Sequence, residues 1–146
     1  MFKSIFNPGI YSQNINSAIL LLRIAAGIFM LTHGIGKFEL LIGGGPIQFP
    51  DPFGVGASTS LFLTVFAEVF CSLLLIFGLA TRFAAAALLI TMLVAAFVVH
   101  INDDFSKQEL SLIYAAIYMV LLLAASGKFS VDQLIYKNMT RNSRIS

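Results

Sequence analysis

Five ionisable side chains interrupt stretches that are otherwise apolar: Arg23, His33, Lys37, Glu68 and His100. Inside a bilayer such groups cost several kcal/mol unless they face a cavity or a partner, so they mark where chemistry is to be sought. Arg23, Lys37 and His33 offer positive charge and hydrogen-bond donors to a small anion or a polar headgroup. Glu68, with His33, is placed to take and give a proton. His100 and Arg82 complete the candidate ligand-binding set. Each has a plainer role as well. Arg23 and Lys37 suit anchors that snorkel to an interface, Arg82 suits a loop charge, and the histidines suit bonds to helix carbonyls. Glu109 suits a residue at a helix start, favoured there by the helix dipole. Two histidines raise the question of haem ligation, and with Glu68 that of a metal site. A bundle this small leaves little room for haem. No Glu-x-x-His pair is present, and the three ligands fall on three separate segments. Haem and metal are therefore disfavoured, and a quinone headgroup or a small sulfur anion needs less.

Depth and facing agree with convergence. At ~1.5 Å rise per residue, Arg23 lies roughly 9 Å from one end of its span and Glu68 roughly 18 Å from that end. His33 and His100 share a level roughly 24–26 Å in, with Lys37 roughly 30 Å in. Arg23 and Lys37 stand four helical turns apart on one face, and His33 and Lys37 are an i,i+4 pair on it. Gly27, Gly34 and Gly36 let another backbone come close to this helix. The expectation is a polar pocket opening outward, covered by the loop between the first two spans.

The elements that position these residues follow from composition. The chain has 146 residues, 58% of them apolar and 11% charged, with a mean hydropathy of +0.91. Soluble domains carry roughly a quarter charged residues. This balance excludes a disordered chain, a nucleic-acid binder and an ordinary cytosolic enzyme, and calls for membrane lipid as the solvent. Four apolar stretches, about 17–35, 57–79, 83–101 and 110–126, are long enough for helices to cross a core of ~30 Å. No ten-residue alternation of the β-barrel kind is visible. The fold class is all-α: one integral-membrane four-helix bundle within a single domain, 1–146. Ala80, Thr81 and Arg82 leave almost no loop between the second and third spans, which must form a tight hairpin. The first connection, LLIGGGPIQFPDPFGVG, holds five glycines and three prolines and cannot continue a helix.

Lys3, Arg82, Lys128, Lys137, Arg141 and Arg144 gather on one side, against Lys37 and Lys107 on the other. The positive-inside rule then puts both termini in the cytoplasm of a bacterial-type inner membrane and the Gly/Pro loop outside. The first span reads as a retained helix, not a removable signal. The single cysteine, Cys71, excludes an internal disulfide or a CxxC redox pair and reads as a small buried hydrophobe. The basic tail from Lys137 to Arg144 suits contact with anionic headgroups.

The run LLRIAAGIFMLTHGIGKF resembles the opening signature of the DoxX family: an arginine, a glycine, then His-Gly and a lysine. AEVFCSLLLIFGLATRFAAA resembles its second signature, a membrane glutamate followed by Gly-Leu-x-Thr-Arg. MLVAAFVVH and SGKFSVDQLI resemble the end of the third span and the Gly-x-x-Ser-x-Asp segment after the fourth. The resemblance covers about residues 17–135 and implies a four-helix membrane bundle with Arg23, His33, Lys37, Glu68, Arg82 and His100 as its marked positions. One branch of that family, the DoxD-like proteins, is a subunit of thiosulfate:quinone oxidoreductase. Other members associate with oxidative-stress or thiol-handling proteins. The leading expectation is a component of a quinone-linked or thiol/sulfur redox system, an oxidoreductase subunit working with a redox partner protein. A non-catalytic scaffold or assembly subunit is the alternative, and a small-molecule transporter the third reading. Glycine-bearing faces make a homodimer plausible.

Overall fold

The computed structural model describes residues 7–142, so Lys3 and Arg144 of the charge balance lie outside the described residues. Among the described residues there are helices and no strands. Four helices are long and apolar enough to cross a membrane: α1 (Gln13–Ile42), α2 (Ala57–Phe77), α3 (Thr81–Val99) and α4 (Phe105–Ala124). A shorter amphipathic helix, α5 (Val131–Asn142), follows. Successive spans run antiparallel, so α5 and the N-terminal segment share one end of the bundle. The loop between α1 and α2 sits at the other end.

α1 is longer than the apolar stretch that announced it. Thirty residues make a rod of about 45 Å, well beyond a ~30 Å hydrocarbon core. Hydropathy marks where lipid ends, but a helix stops only where its backbone is broken. The surplus turns lie at the N-terminal end, where Gly27 already meets Ser72 and Ile76 near the close of α2, whereas Lys37 stands three residues beyond Gly34, which packs on Glu68.

The hairpin between α2 and α3 is as tight as expected. Gly78 adopts φ +68°, and the Gly78 and Leu79 amides donate back to Leu75 and Leu74, closing α2 with a Schellman cap. Ala80, also left-handed at φ 47°, opens α3. The Asp132 carboxylate at the start of α5 accepts from the Ala80 and Thr81 amides at 2.7 and 3.1 Å, two donors a helix start would otherwise leave unpaired.

Alanines and other small residues fill the interior. Ala26, Ala67, Ala84 and Ala85 pack with Met30, Leu75, Leu88, Leu121 and the buried Cys71. Large apolar side chains, including Phe29, Phe62, Phe70, Ile90 and Leu123, point outward, as a lipid-facing surface requires. Gly34 is a point of closest approach between α1 and α2, since a Cβ there would stand 2.8 Å from Val69 and 3.1 Å from Glu68. Gly27 meets Ile76 and Ser72 in the same way, whereas Gly36 faces open space.

Two spans are not uniform. α2 contains a π-helical segment at Phe66–Cys71, and α3 ends in another at Ala95–Val99. Wider turns of this kind rotate the residues beyond them and recur at functional sites. One holds Glu68; the other leads directly into His100, whose amide donates to the Ala95 carbonyl.

Candidate functional site

The end of the bundle that carries the α1–α2 loop holds a polar cavity of about 230 Å³. His33 and Lys37 reach it from α1, Glu68 from the π segment of α2, and His100 from the end of α3. Lys107, Ser111 and Tyr114 add an α4 wall. Four of the six expected site residues are thus brought together.

An ion pair organises its floor. The Lys37 ammonium sits 2.5 Å from Glu68 Oε1. The Glu68 side chain is 3% exposed and that of Lys37 is 32% exposed, so the pair runs from the packed interior to the cavity. Glu68 Oε2 is buried and has no hydrogen-bond partner among the described residues. A carboxylate accepts through both oxygens, so one half of this group is committed and the other is left without a donor. Ser72 Oγ and the Tyr118 hydroxyl are likewise buried and unpartnered. Tyr118 is close enough to Glu68 for the two to interact electrostatically.

The rim is aromatic and titratable. His33 stands edge-on to Tyr114, with ring centroids 6.0 Å apart, and Tyr114 stacks on Tyr118 at 6.0 Å. His100 Nδ1 lies 2.7 Å from Asp103, and Lys107 lies 3.5 Å from the same carboxylate oxygen. The bond to His100, then the Lys107 charge, hold the Asp103 carboxyl below its ordinary range. Gln108 donates to the His100 carbonyl and fixes the turn.

Arg23 and Arg82 lie elsewhere. Arg23 is 1% exposed at the end nearer the termini. Its Nε donates to the Leu75 carbonyl at 2.8 Å, Nη1 donates to Ser126, and Nη2 donates to Phe129 at 3.1 Å and Ile76 at 3.4 Å. These acceptors are the last carbonyls of α2 and the link after α4, the negative end of two helix dipoles. Arg23 therefore closes helix ends and is not free to bind a ligand. Arg82, in the first turn of α3, is about 20 Å along that helix from Ala95. The face argument aligned Arg23 with Lys37 correctly, but a shared face does not imply a shared cavity four turns away.

The loop is also placed differently from expectation. Phe49, Pro50, Pro52 and Phe53 do not cover the polar cavity; they roof a second, mainly apolar hollow of about 480 Å³ between α2 and α3. Asp51 pins this roof, accepting from the Val55 and Gly56 amides at 3.0 and 2.8 Å and from Ser60 Oγ at 2.8 Å.

Tyr114, Tyr118, Ser111 and Lys107 were not singled out from the sequence. Their signal was present: 111, 114 and 118 fall at helical spacing on one face of an otherwise apolar span.

The fold and site together define an integral membrane protein, a helical bundle with a charged cavity set into one end. The chain belongs to the DoxX family, whose model matches residues 18–101. Among curated relatives, an uncharacterized protein of Haemophilus influenzae is 34% identical over 95 residues, covering 62% of this chain and 63% of that protein. A Bacillus subtilis protein named "Putative oxidoreductase CatD" is 28% identical over 128 residues, 87% of this chain and 92% of its own length. A second uncharacterized Haemophilus influenzae protein is 29% identical, covering 80% of this chain and 89% of its own. No solved structure matches the chain.

Proposed function

We propose that this protein is the membrane component of a quinone-linked or thiol/sulfur redox system, and that it binds a small ligand in the polar cavity. The observation that carries this reading is the divided state of Glu68, a residue of the cavity wall: one carboxylate oxygen is tied to Lys37, while the other is buried without a partner. Lys37 and His33 supply charge and donors to the oxygen atoms of the headgroup. Glu68, with His33 at the rim, exchanges protons with it. The chain has one buried cysteine and so no dithiol. Electrons come from a partner protein or a bound redox group, and the residues here position the ligand and handle its protons. The oxidoreductase name of the Bacillus subtilis relative is consistent with this role. The distribution of Arg82, Lys128, Lys137 and Arg141 favours a bacterial inner membrane with the termini cytoplasmic.

The test is binding and reduction of a soluble benzoquinone by the protein purified with its native membrane partners. Glu68→Gln keeps the shape and removes the titrating group. Loss of turnover with unchanged folding supports the assignment. Turnover equal to the wild type refutes it and leaves the assembly-subunit reading in place.

A further inference from the structure

The polar cavity is smaller than ordinary small-molecule sites, which run to about 300–1,000 Å³. The apolar hollow beside it falls within that range. The two share four lining residues: Lys37, Glu68, Ala95 and His100. They meet at the only wall on which the hollow carries charge. Away from that wall it is lined by residues such as Leu63, Ala67, Ile90 and Val94, with the Phe49–Phe53 part of the loop above. Leu63 and Ile90 are more than half exposed, so the hollow opens sideways into the hydrocarbon between α2 and α3.

We propose that this hollow is a chain-binding subsite, and that the ligand is an amphiphile entering from the bilayer with its hydrocarbon tail between α2 and α3 and its head at Glu68. The inference rests on the reading of the polar cavity given above and adds the class of ligand. A water-soluble anion needs no second hollow. A chain-bearing ligand needs an apolar path ending at a polar group, and this one ends at the Lys37–Glu68 ion pair and His100. The two π segments make that junction. One presents Glu68 from α2 and the other presents Ala95 and His100 from α3, on opposite sides of the shared wall. The loop fixes the upper limit of the path, because Asp51 ties the roof to Ser60 of α2, itself a lining residue.

The experiment uses the purified protein in lipid nanodiscs. The probes are a dimethoxy-methyl-benzoquinone without a side chain and the same ring carrying a decyl chain. Affinities are expressed per concentration in the membrane phase, so that partitioning is not counted as binding. The wild type should prefer the decyl form roughly tenfold. Thr91→Trp fills the hollow from α3. Thr91 bonds only within its own helix, to the Ala87 carbonyl at 2.9 Å, so the change breaks no tie between helices. It should bring the decyl quinone down to the affinity of the tail-less ring. Leu63→Trp fills the hollow from α2 and should act alike, which covers the case in which one variant fails to fold. Leu123→Trp, on the lipid face of α4, controls for an added indole and should leave the preference unchanged. A wild type with no chain preference, or a preference that survives both plugs, overturns the inference. If the tail-less ring then still binds in a Glu68-dependent way, the polar-cavity reading stands. If neither quinone binds, both fall.

Discussion

Arg23 offers the sharpest separation of structure from function. Replacing it with methionine keeps most of the apolar stem and removes the guanidinium. The Leu75 and Ser126 carbonyls, both in buried surroundings, then lose a charged donor. The stranded Ser126 carbonyl costs about 1–3 kcal/mol, and the Leu75 carbonyl, which keeps the Gly78 amide, loses one bond worth about 0.5–1.5 kcal/mol, giving roughly 1.5–4.5 kcal/mol in all. The weaker bonds to Phe129 and Ile76 add little, because they lie at 3.1 and 3.4 Å near part-buried atoms. Arg23→Lys should recover only part of the loss, since an ammonium is a point donor and cannot span carbonyls arranged around a planar fork. The assay is reversible unfolding in mixed micelles, read by helicity and paired with quinone affinity of the folded fraction. Stability should fall in the order wild type, lysine, methionine, and affinity should stay constant. Arg23→Met with unchanged stability but lost binding would refute the helix-closing role and return Arg23 to the ligand set.

Two further outcomes follow from the same geometry. Gly78→Ala should destabilise by about 1–2 kcal/mol through its left-handed backbone alone, and by more because the new Cβ would stand 2.7 Å from both Arg23 Cζ and Ser130 Cβ. Because the two sites touch, its cost in an Arg23→Met background should be smaller than in the wild type, as a double-mutant cycle of unfolding midpoints will show. Asp51 is held below its ordinary pKa of 3.8, first by the Ser60 hydroxyl and next by the Gly56 amide. Its hold on the loop is complete above the ordinary carboxylate range and is lost as pH falls through the lowered value. Pepsin cleavage within 43–56 should therefore rise only below about pH 4 in the wild type. In Asp51→Asn the loop should be cut readily at every pH tested; a variant as resistant as the wild type would remove Asp51 as the pin.

The spans were legible because a bilayer imposes length and apolarity, and few sequences satisfy both by chance. The hairpin was legible because Ala80, Thr81 and Arg82 leave almost no loop between the second and third spans. The bounds of α1 were not, since lipid thickness and helix length are set by different things. At the site, depth set Glu68 and Lys37 roughly 12 Å apart, so their ion pair could not be read from it. Nor could the cavity's aromatic wall be read, because tyrosine in a membrane helix is as ordinary as phenylalanine until its hydroxyl is seen to lack a partner. The π segments had no reading either. A wider turn arises when neighbouring helices favour an extra residue, and no residue type in FAEVFC or AAFVV encodes it.

The two ends of the bundle then part company on one physical criterion, which spacing alone does not supply. Near the termini, two buried charges are matched by backbone, Arg23 by helix carbonyls and Asp132 by helix amides, although Arg82 Nε and Thr81 Oγ1 at the same end are buried without a partner. Such matching lowers the energy of a single conformation and leaves nothing for a ligand at Arg23 or Asp132. At the loop end Glu68 is buried to the same degree, yet only one of its oxygens is matched. A half-satisfied carboxylate in a low-dielectric interior is costly when nothing else approaches it. The fold bears that cost at the place where a polar cavity and a lipid-open hollow share a wall. Filling the free oxygen's hydrogen bond takes a donor, such as the hydroxyl of a reduced, hydroquinone headgroup, and recovers what folding left unmade, so binding of the reduced ligand and bundle stability should be coupled through Glu68. A hydroquinone that binds as inferred should raise the unfolding midpoint of the wild type and leave that of Glu68→Gln unmoved. Equal stabilisation of both would show that the free oxygen is not where the ligand makes its contact.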